Sequence, residues 1–190
     1  MNASETPMIF VDTETTDYQP GQIAQLAYLL ADGGVVTGAG NYYFAVEYMT
    51  PGAEQVHGLS ENMLWQLSEG RTFAEQADRF RCDFEGRMLV AHNVPFDMGF
   101  LAAEFARCGH IYAPKSTFCT MRQSTSACRL PRESGGYKWP TLEEALRCLA
   151  IPAEEVSALA ESLFGRERSG FHDARFDVAA VYLIYRRLIG

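Results

Sequence analysis

The chain has 190 residues, of which 47% are hydrophobic and 21% charged, and its net charge is −8. This length supports one domain with a sizeable core, expected over residues 1–190, and the composition excludes a disordered or fibrous chain. No apolar run approaches the roughly 20 residues of a membrane-spanning helix, and the first seven residues lack the basic-then-apolar order of a signal peptide. We therefore expect a cytoplasmic protein with no membrane partner.

The first half of the chain predicts three consecutive strands followed by two helices. The apolar run at 8–14 predicts a buried strand, and two further strands at 22–31 and 35–47 are joined by a tight turn at Asp32-Gly33-Gly34. Helices are expected at 60–65 and 73–84. Strands joined in this way favour an antiparallel meander.

The second half of the chain alternates strands with helices, a pattern typical of parallel strand pairing. The expected elements are a strand at 87–92, a helix at 96–108 ended by Gly109, a strand at 117–119 that leads into a helix, a helix from Thr141 and a helix at 173–188. Thr141 and Glu144 have the spacing of a capping box. The fold class expected is α/β, with a mixed sheet covered by helices.

Two acids end the first predicted strand. Asp12 and Glu14 are two residues apart, so in a strand their carboxylates point to the same face. A charge that follows an apolar run is costly unless a cation or a water-filled cleft receives it. A strand end that opens to solvent explains the pair equally well.

A third acid lies on the apolar stripe of the last helix. At helical spacing Asp177 shares its face with Ala180, Val181 and Ile184, so it is expected to point toward the sheet. His172 precedes it by five residues. A single histidine in such a position is more often an ordinary surface or core residue than a functional one.

A fourth acid follows a strand directly. Asp97 opens the helix after the strand at 87–92, and His92 and Asn93 lie at that strand's carboxyl end, where α/β sheets tend to bind ligands. The alternative is an acid stabilised by the helix dipole. Four acids together, without a sulfur donor, form a ligand set suited to Mg²⁺ or Mn²⁺, and two such ions catalyse in-line displacement at phosphorus. A histidine beside them can accept a proton from the attacking water.

Basic residues are concentrated in one segment. Residues 107–138 contain six bases and one acid, whereas residues 1–106 contain four bases and 15 acids. Around Tyr137 and Trp139 the segment offers cations for phosphates and aromatic faces for bases, and it contains no acid except Glu133. The alternative is a surface loop in which Trp139 packs inward as an anchor.

These motifs resemble the DnaQ-like (DEDDh) 3′–5′ exonucleases, a group typified by the proofreading epsilon subunit of bacterial DNA polymerase III. The matching segments, which cover nearly the whole chain, are FVDTETT (10–16), VHGLS (56–60), AHNVPFDMGFL (91–101), TFCTMRQS (117–124), KWPTLEEALRCL (138–149) and HDARFDVAAVYL (172–183). The resemblance implies a ribonuclease H-like fold and stepwise hydrolysis of a nucleic-acid 3′ end with two divalent ions, Mg²⁺ or Mn²⁺. By motif position, the implied general base is His172, and the implied metal ligands are Asp12, Glu14, Asp97 and Asp177.

The resemblance also implies a set of residues that contact the substrate or support the site. They are Thr13, Thr15, His57, His92, Asn93 and Phe96. The chain departs from the family pattern at Asp17, where glycine is usual, and at Gln25, where glutamate is frequent. Neither departure removes a metal ligand, but both could alter how the last nucleotide is held.

The expected function is that of a metal-dependent 3′–5′ exonuclease whose partner is the 3′ end of single-stranded DNA. A DNA polymerase or a replication or repair complex is a candidate second partner. A 3′–5′ exoribonuclease or oligoribonuclease remains an alternative, because the sequence displays no contact to a 2′-hydroxyl. A catalytically silent module that binds nucleic acid or a polymerase would be favoured if a ligand acid or the histidine were missing, but all five are present.

Overall fold

A five-stranded mixed sheet forms the centre of the molecule. In the computed structural model, which describes residues 6–165 and 170–190, the strands are β1 (Met8–Thr15), β2 (Ile23–Asp32), β3 (Val35–Tyr43), β4 (Met88–Ala91) and β5 (Ser116–Cys119). Their order is β3-β2-β1-β4-β5, with antiparallel pairing from β3 to β1 and parallel pairing from β1 to β5. The predicted α/β class, a three-strand meander followed by parallel strands, is confirmed.

Helices cover both faces of this sheet. Those within the described residues are α1 (Pro51–His57), α2 (Glu61–Ser68), α3 (Ala77–Phe84), α4 (Val94–Arg107), α5 (Thr120–Cys128), α6 (Leu142–Cys148), α7 (Ala153–Phe164) and α8 (Ala174–Ile189). Helices α1 and α7 are not among the elements predicted from the sequence. None of these helices has the length and apolar character needed to cross a membrane.

Alternate residues of β1 belong to two different cores. Ile9 and Val11 pack in one cluster with aromatic residues of α3 and α4, such as Phe80. Met8 and Phe10 pack in a second cluster with α8. Because side chains alternate along a strand, every even-numbered residue of β1 points toward α8, and this rule continues to the acids at its carboxyl end.

The predicted hairpin between β2 and β3 is confirmed at its turn. Gly33 and Gly34 have φ angles of 59° and 79°, a left-handed conformation that glycine adopts without steric cost. Strand β3 ends at Tyr43 and does not continue to residue 47 as predicted. The reason is that the backbone turns away after Phe44, and the Ala45 amide donates to the carbonyl of Arg71 instead.

Candidate active site

Three carboxylates from two elements meet where β1 ends. Asp12 and Glu14 continue the face of β1 that packs against α8. Asp177 lies in the first turn of α8. One oxygen from each of these three side chains lies within 4.8 Å of the other two. The predicted convergence of the strand pair with the acid on the last helix is therefore observed.

The fourth acid approaches from the opposite face of β1. Asp97 lies in the first turn of α4 and is 3% exposed. The hydroxyl of Thr13 donates to Asp97 Oδ1 over 3.0 Å. Asp97 is outside the group of three, but the charge of Asp12 acts on it and raises the pKa of its carboxyl. The two helices thus bring acids to both faces of one strand end.

Burial and mutual repulsion raise the pKa of all four carboxyls. Burial, followed by the charge of Asp173, raises the pKa of Asp12 to about 7. Burial, together with the charges of Asp12, Asp173 and Asp97, raises the pKa of Glu14 to about 9. The pKa values of Asp97 and Asp177 also lie well above the ordinary range, chiefly because of burial. The site disfavours four free anions.

Within the described residues, one buried carboxylate oxygen of this site lacks a hydrogen-bond donor, which indicates that a cation binds there. Asp177 Oδ2 accepts a hydrogen bond from the backbone amide of His172 over 3.0 Å. Asp177 Oδ1 is buried and has no hydrogen-bond partner among residues 6–165 and 170–190. An unpaired buried carboxylate oxygen beside two further carboxylates is costly, and a hard divalent cation would relieve that cost. The donor set fits Mg²⁺ or Mn²⁺.

The acids open into a pocket of about 210 Å³. Its lining residues are Asp12, Thr13, Glu14, Thr15, Asp17, Tyr18, Ala53, Val56, His57, His92, Phe96, Asp97, His172 and Asp177. Ten of the eleven predicted site residues line it. The exception, Asn93, is the N-cap of α4 and has a φ angle of 82°. Three further lining residues were not predicted from the sequence: Tyr18, and Ala53 and Val56 on the unpredicted helix α1.

His57 supports the wall of the pocket through both of its ring nitrogens. Its Nδ1 accepts from the amide of Leu59 over 3.0 Å, so Nε2 carries the proton and donates to the carbonyl of Thr15 over 3.2 Å. Burial lowers the pKa of His57, although the bond to Thr15 opposes this. The Thr15 hydroxyl donates to the carbonyl of Asp17 over 2.9 Å. This arrangement fixes the turn that follows β1.

His92 joins two segments that lie behind the pocket. Its Nε2 is 3.1 Å from the carbonyl oxygen of Pro140, and its Nδ1 is 3.0 Å from the hydroxyl oxygen of Thr120. Burial lowers the pKa of His92 to about 4, so the ring is neutral near pH 7. A carbonyl can only accept, so Nε2 donates to Pro140. Nδ1 faces the Thr120 hydroxyl, whose single hydrogen is shared between Nδ1 and the carbonyl oxygen of Ala91 at 3.2 Å. Neither ring nitrogen is left for a ligand.

Of the three histidines that line the pocket, His172 is the exposed one. It is exposed, it lines the pocket, and its φ angle of 66° lies in the left-handed region. Its backbone amide is bonded to Asp177 Oδ2. This bond holds the histidine beside the acids without occupying its imidazole.

A buried network of hydrogen bonds lies next to the acids, and no sequence pattern predicts it. Gln25, paired with Glu14 across β1 and β2, donates from Nε2 to Asp173 Oδ1 over 3.2 Å and accepts from the amide of Ala174 over 3.3 Å. The Asp173 carboxylate also accepts from Arg175 Nε and Nη2, over 3.0 Å and 2.7 Å. Gln25 does not line the pocket. It is bonded to the start of α8, so any effect of Gln25 on the nucleotide would act through that helix.

The basic segment differs from expectation in two respects. Lys138 is paired with Glu144 of α6 over 2.6 Å, so Glu133 is not the only acid within its reach. Trp139 is 54% exposed and therefore is not an anchor packed inward. The guanidinium of Arg122 lies 5.5 Å from the centre of the Trp139 ring.

Sequence comparisons place these observations among known proteins. The RNase_T family model, described as an exonuclease, matches residues 9–185. The DNA polymerase III subunit epsilon of Escherichia coli (strain K12) is 30% identical over 139 residues, which cover 68% of this chain and 56% of that protein. The 3′-5′ exonuclease DinG of Bacillus subtilis (strain 168) is 29% identical over 105 residues, which cover 53% of this chain and 11% of that protein.

Solved structures show the same fold. The crystal structure of E. coli exonuclease I in complex with a dT13 oligonucleotide matches with a TM-score of 0.72 and 22% identity, over 97% of this chain and 41% of that chain. The apo structure of exonuclease I matches with a TM-score of 0.71 and 20% identity, over 96% of this chain and 42% of that chain. The chain spans about half the length of the epsilon relatives that it matches.

Proposed function

The chain belongs to the DnaQ-like 3′–5′ exonuclease family, and we propose that it hydrolyses DNA stepwise from the 3′ end with two divalent metal ions and a histidine base. The observation that carries this proposal is the approach of oxygens of Asp12, Glu14 and Asp177 to within 4.8 Å of one another. Asp97 and His172 lie in the same pocket. Together these five residues provide both the acids and the base that the reaction needs.

Two divalent ions, Mg²⁺ or Mn²⁺, would be held by Asp12, Glu14, Asp97 and Asp177. When bound, such ions neutralise the acids and stabilise the negative charge that develops on phosphate during in-line displacement. A ring nitrogen of His172 accepts the proton of the attacking water. The bond from the His172 amide to Asp177 Oδ2 keeps this base beside the acids.

The terminal nucleotide would occupy the pocket of about 210 Å³. Thr13, Thr15 and Phe96 are proposed to border it, with the aromatic ring as an apolar wall. His57 and His92 support the walls, because their ring nitrogens are bonded within the protein. Asn93 acts indirectly, as the residue from which the helix carrying Asp97 begins.

DNA is the proposed substrate because relatives at about 30% identity are subunits of DNA polymerase III. The same relationship supports a polymerase or a replication or repair complex as a second partner. The net charge of −8 does not oppose this proposal, since four of the acids would be neutralised by metal and residues 107–138 carry a cationic excess.

Digestion of 5′-labelled single-stranded DNA, duplex DNA and RNA tests this function. With Mn²⁺ or Mg²⁺ we expect a ladder of single-stranded DNA products that shorten from the 3′ end, and a chelator should abolish it. Faster shortening of RNA would assign the protein to the exoribonucleases. Binding of all three nucleic acids without shortening would assign it to the silent binding modules.

A further inference from the structure

An exposed indole ring lies in the segment that precedes α6. Trp139 exposes 54% of its surface, and the guanidinium of Arg122, itself exposed, lies 5.5 Å from the ring centre. Among residues 6–165 and 170–190, no carboxylate forms an ion pair with Arg122. An exposed aromatic ring with a cation over one face combines the two features by which proteins bind single-stranded nucleic acid, a flat face for a base and a positive charge for the backbone.

Both residues are tied to the pocket through one imidazole. Pro140, which follows Trp139, accepts from His92 Nε2 over 3.1 Å, and Thr120, two residues before Arg122, lies 3.0 Å from His92 Nδ1. His92 also lines the pocket. Trp139 therefore directly precedes a residue that is bonded to the pocket wall, and Arg122 lies beside its ring.

The residues that flank Trp139 are held in place on both sides. Lys138 is bonded to Glu144 over 2.6 Å, and the same glutamate closes a capping box with Thr141 at the start of α6. Segments fixed before binding lose little conformational entropy when a ligand arrives. Trp139 is thus presented as a preformed surface.

We propose that Arg122 and Trp139 form a stacking platform for an unpaired DNA base located 5′ of the terminal nucleotide, an inference that rests on the 3′-end exonuclease function proposed above. The ring supplies a flat apolar face for the base, and the guanidinium supplies positive charge for the adjacent phosphate. A base in a duplex keeps its face stacked on its neighbours. The platform therefore favours single-stranded ends.

Kinetics on two substrates separate the platform from the catalytic site. The p-nitrophenyl ester of dTMP has no upstream base, whereas a single-stranded dT oligonucleotide has several. The quantity to compare is the KM for the oligonucleotide divided by the KM for the ester. Trp139→Ala should raise this ratio about tenfold, because that is the usual effect of losing one base–aromatic stack. Trp139→Phe should return the ratio most of the way to the wild-type value, because phenylalanine keeps an aromatic face. The control is Trp65→Ala, which removes the chain's other tryptophan, a residue on α2 that is 63% exposed, and it should leave the ratio unchanged. An equal change for both substrates, or for neither, overturns the platform.

Fluorescence provides a test that does not depend on hydrolysis. In Trp65→Phe the only remaining tryptophan is Trp139. A phosphorothioate dT oligonucleotide, bound in the presence of Mg²⁺, should quench this emission. The same strand with a 5′ fluorescein reports binding independently through its anisotropy. Both signals should saturate at the same protein-to-DNA concentrations. Saturated anisotropy with unchanged emission overturns the platform. If wild type hydrolyses neither substrate but Trp139 is quenched, the exonuclease function fails while the platform stands.

Discussion

Asp12 lies at the centre of the electrostatic repulsion in this site. Its charge raises the pKa of Glu14, of Asp97 and of Asp177 alike, after the larger effect of burial. Among the acids of residues 6–165 and 170–190, no other one acts on all three of these side chains. Neutralising Asp12 should therefore weaken both the repulsion and the capture of cations.

Asp12→Asn should remove most of the stabilisation that divalent ions give. Ions that bind only the folded state raise its stability, by about 2.7 kcal/mol at a free concentration of 100 times Kd, which corresponds to several degrees in Tm for a chain of this size. Thermal melts at millimolar Mg²⁺ and Mn²⁺ should show this gain in wild type and little of it in the variant. Glu85→Gln, at a side chain that is 75% exposed, is the matched control and should keep the full gain. No gain in wild type would refute the metal site.

His172→Ala should separate binding from hydrolysis. His172 is exposed at the pocket, and within the described part of the chain its bond to an acid comes from its backbone, so the substitution leaves the acids in place. Loss of a general base typically costs roughly 10²–10⁴ in rate. Single-turnover digestion should show this loss, while the metal-induced rise in Tm persists.

His110→Ala is the matched control. The ring of His110 is paired with Asp78 over 3.4 Å outside the pocket, so this variant should digest DNA like wild type. A near-normal rate for His172→Ala would exclude it as the base.

The position of the first turn of α8 depends on hydrogen bonds from a side chain of β2. Gln25 is 1% exposed, and its side chain bonds both Asp173 and the amide of Ala174. Asp177 projects from the turn that these bonds hold. The position of one site acid is therefore set by a residue of another element.

Gln25→Ala should destabilise the fold and weaken metal capture together. Removing one partner of buried hydrogen bonds costs about 1–3 kcal/mol. Urea unfolding should register this loss, and titration with Mn²⁺ should show a weaker increase in stability than in wild type. Thr37→Ala, which removes an exposed hydroxyl on β3, is the control and should change neither quantity by much. Unaltered stability of Gln25→Ala would show that α8 is positioned by its apolar packing alone.

The elements that the sequence predicts are those with strong local patterns. Strand β1 has an apolar run, the turn has two adjacent glycines, and α6 begins with a capping box that the structure confirms. Helix α1 lacks such a pattern, because Ala53 alone of its seven residues is buried. Helix α7 is also missed, although Val156 and Ala160 are buried at helical spacing.

In the site, too, the features with a local sequence pattern are predicted and those that depend on tertiary contacts are not. Asp12, Glu14 and Asp177 are predicted to point inward from strand and helix periodicity, and the structure brings them together. The pairs Gln25–Asp173 and Lys138–Glu144 depend on how separate elements pack, so no local pattern indicates them. Sequence periodicity thus predicts the direction of a side chain, whereas its partner depends on tertiary contacts.

For the whole molecule, the raised pKa values predict how stability depends on pH without metal. The folded state binds protons on Asp12 and Glu14 up to about pH 7 and pH 9, whereas the unfolded chain releases them at the ordinary carboxyl pKa. Stability from these protons is complete below the unfolded value and is lost as the pH rises through the folded values. The Tm of metal-free protein should therefore fall between about pH 5 and pH 9.

Melting curves with a chelator across this range test that prediction. The decrease should be smaller in Asp12→Asn, because one of the repelling charges is absent. The gain in Tm from Mg²⁺ should grow with pH in wild type, since fewer protons compete for the carboxylates. A metal-free Tm that rises from neutral to alkaline pH would contradict the raised pKa values.

Four carboxylates and His172 are proposed to remove nucleotides from the 3′ end of a DNA strand, and labels placed at the two ends of a strand distinguish this from other modes of cleavage. Single-stranded DNA labelled at its 3′-terminal nucleotide and the same strand labelled at its 5′ end are digested in parallel with Mn²⁺. The 3′ label should leave first, as a mononucleotide, while the 5′ label stays in fragments that shorten step by step. A chelator, or Asp12→Asn, should stop both processes. Early release of the 5′ label, internal cleavage, or undiminished digestion with the chelator would contradict the account.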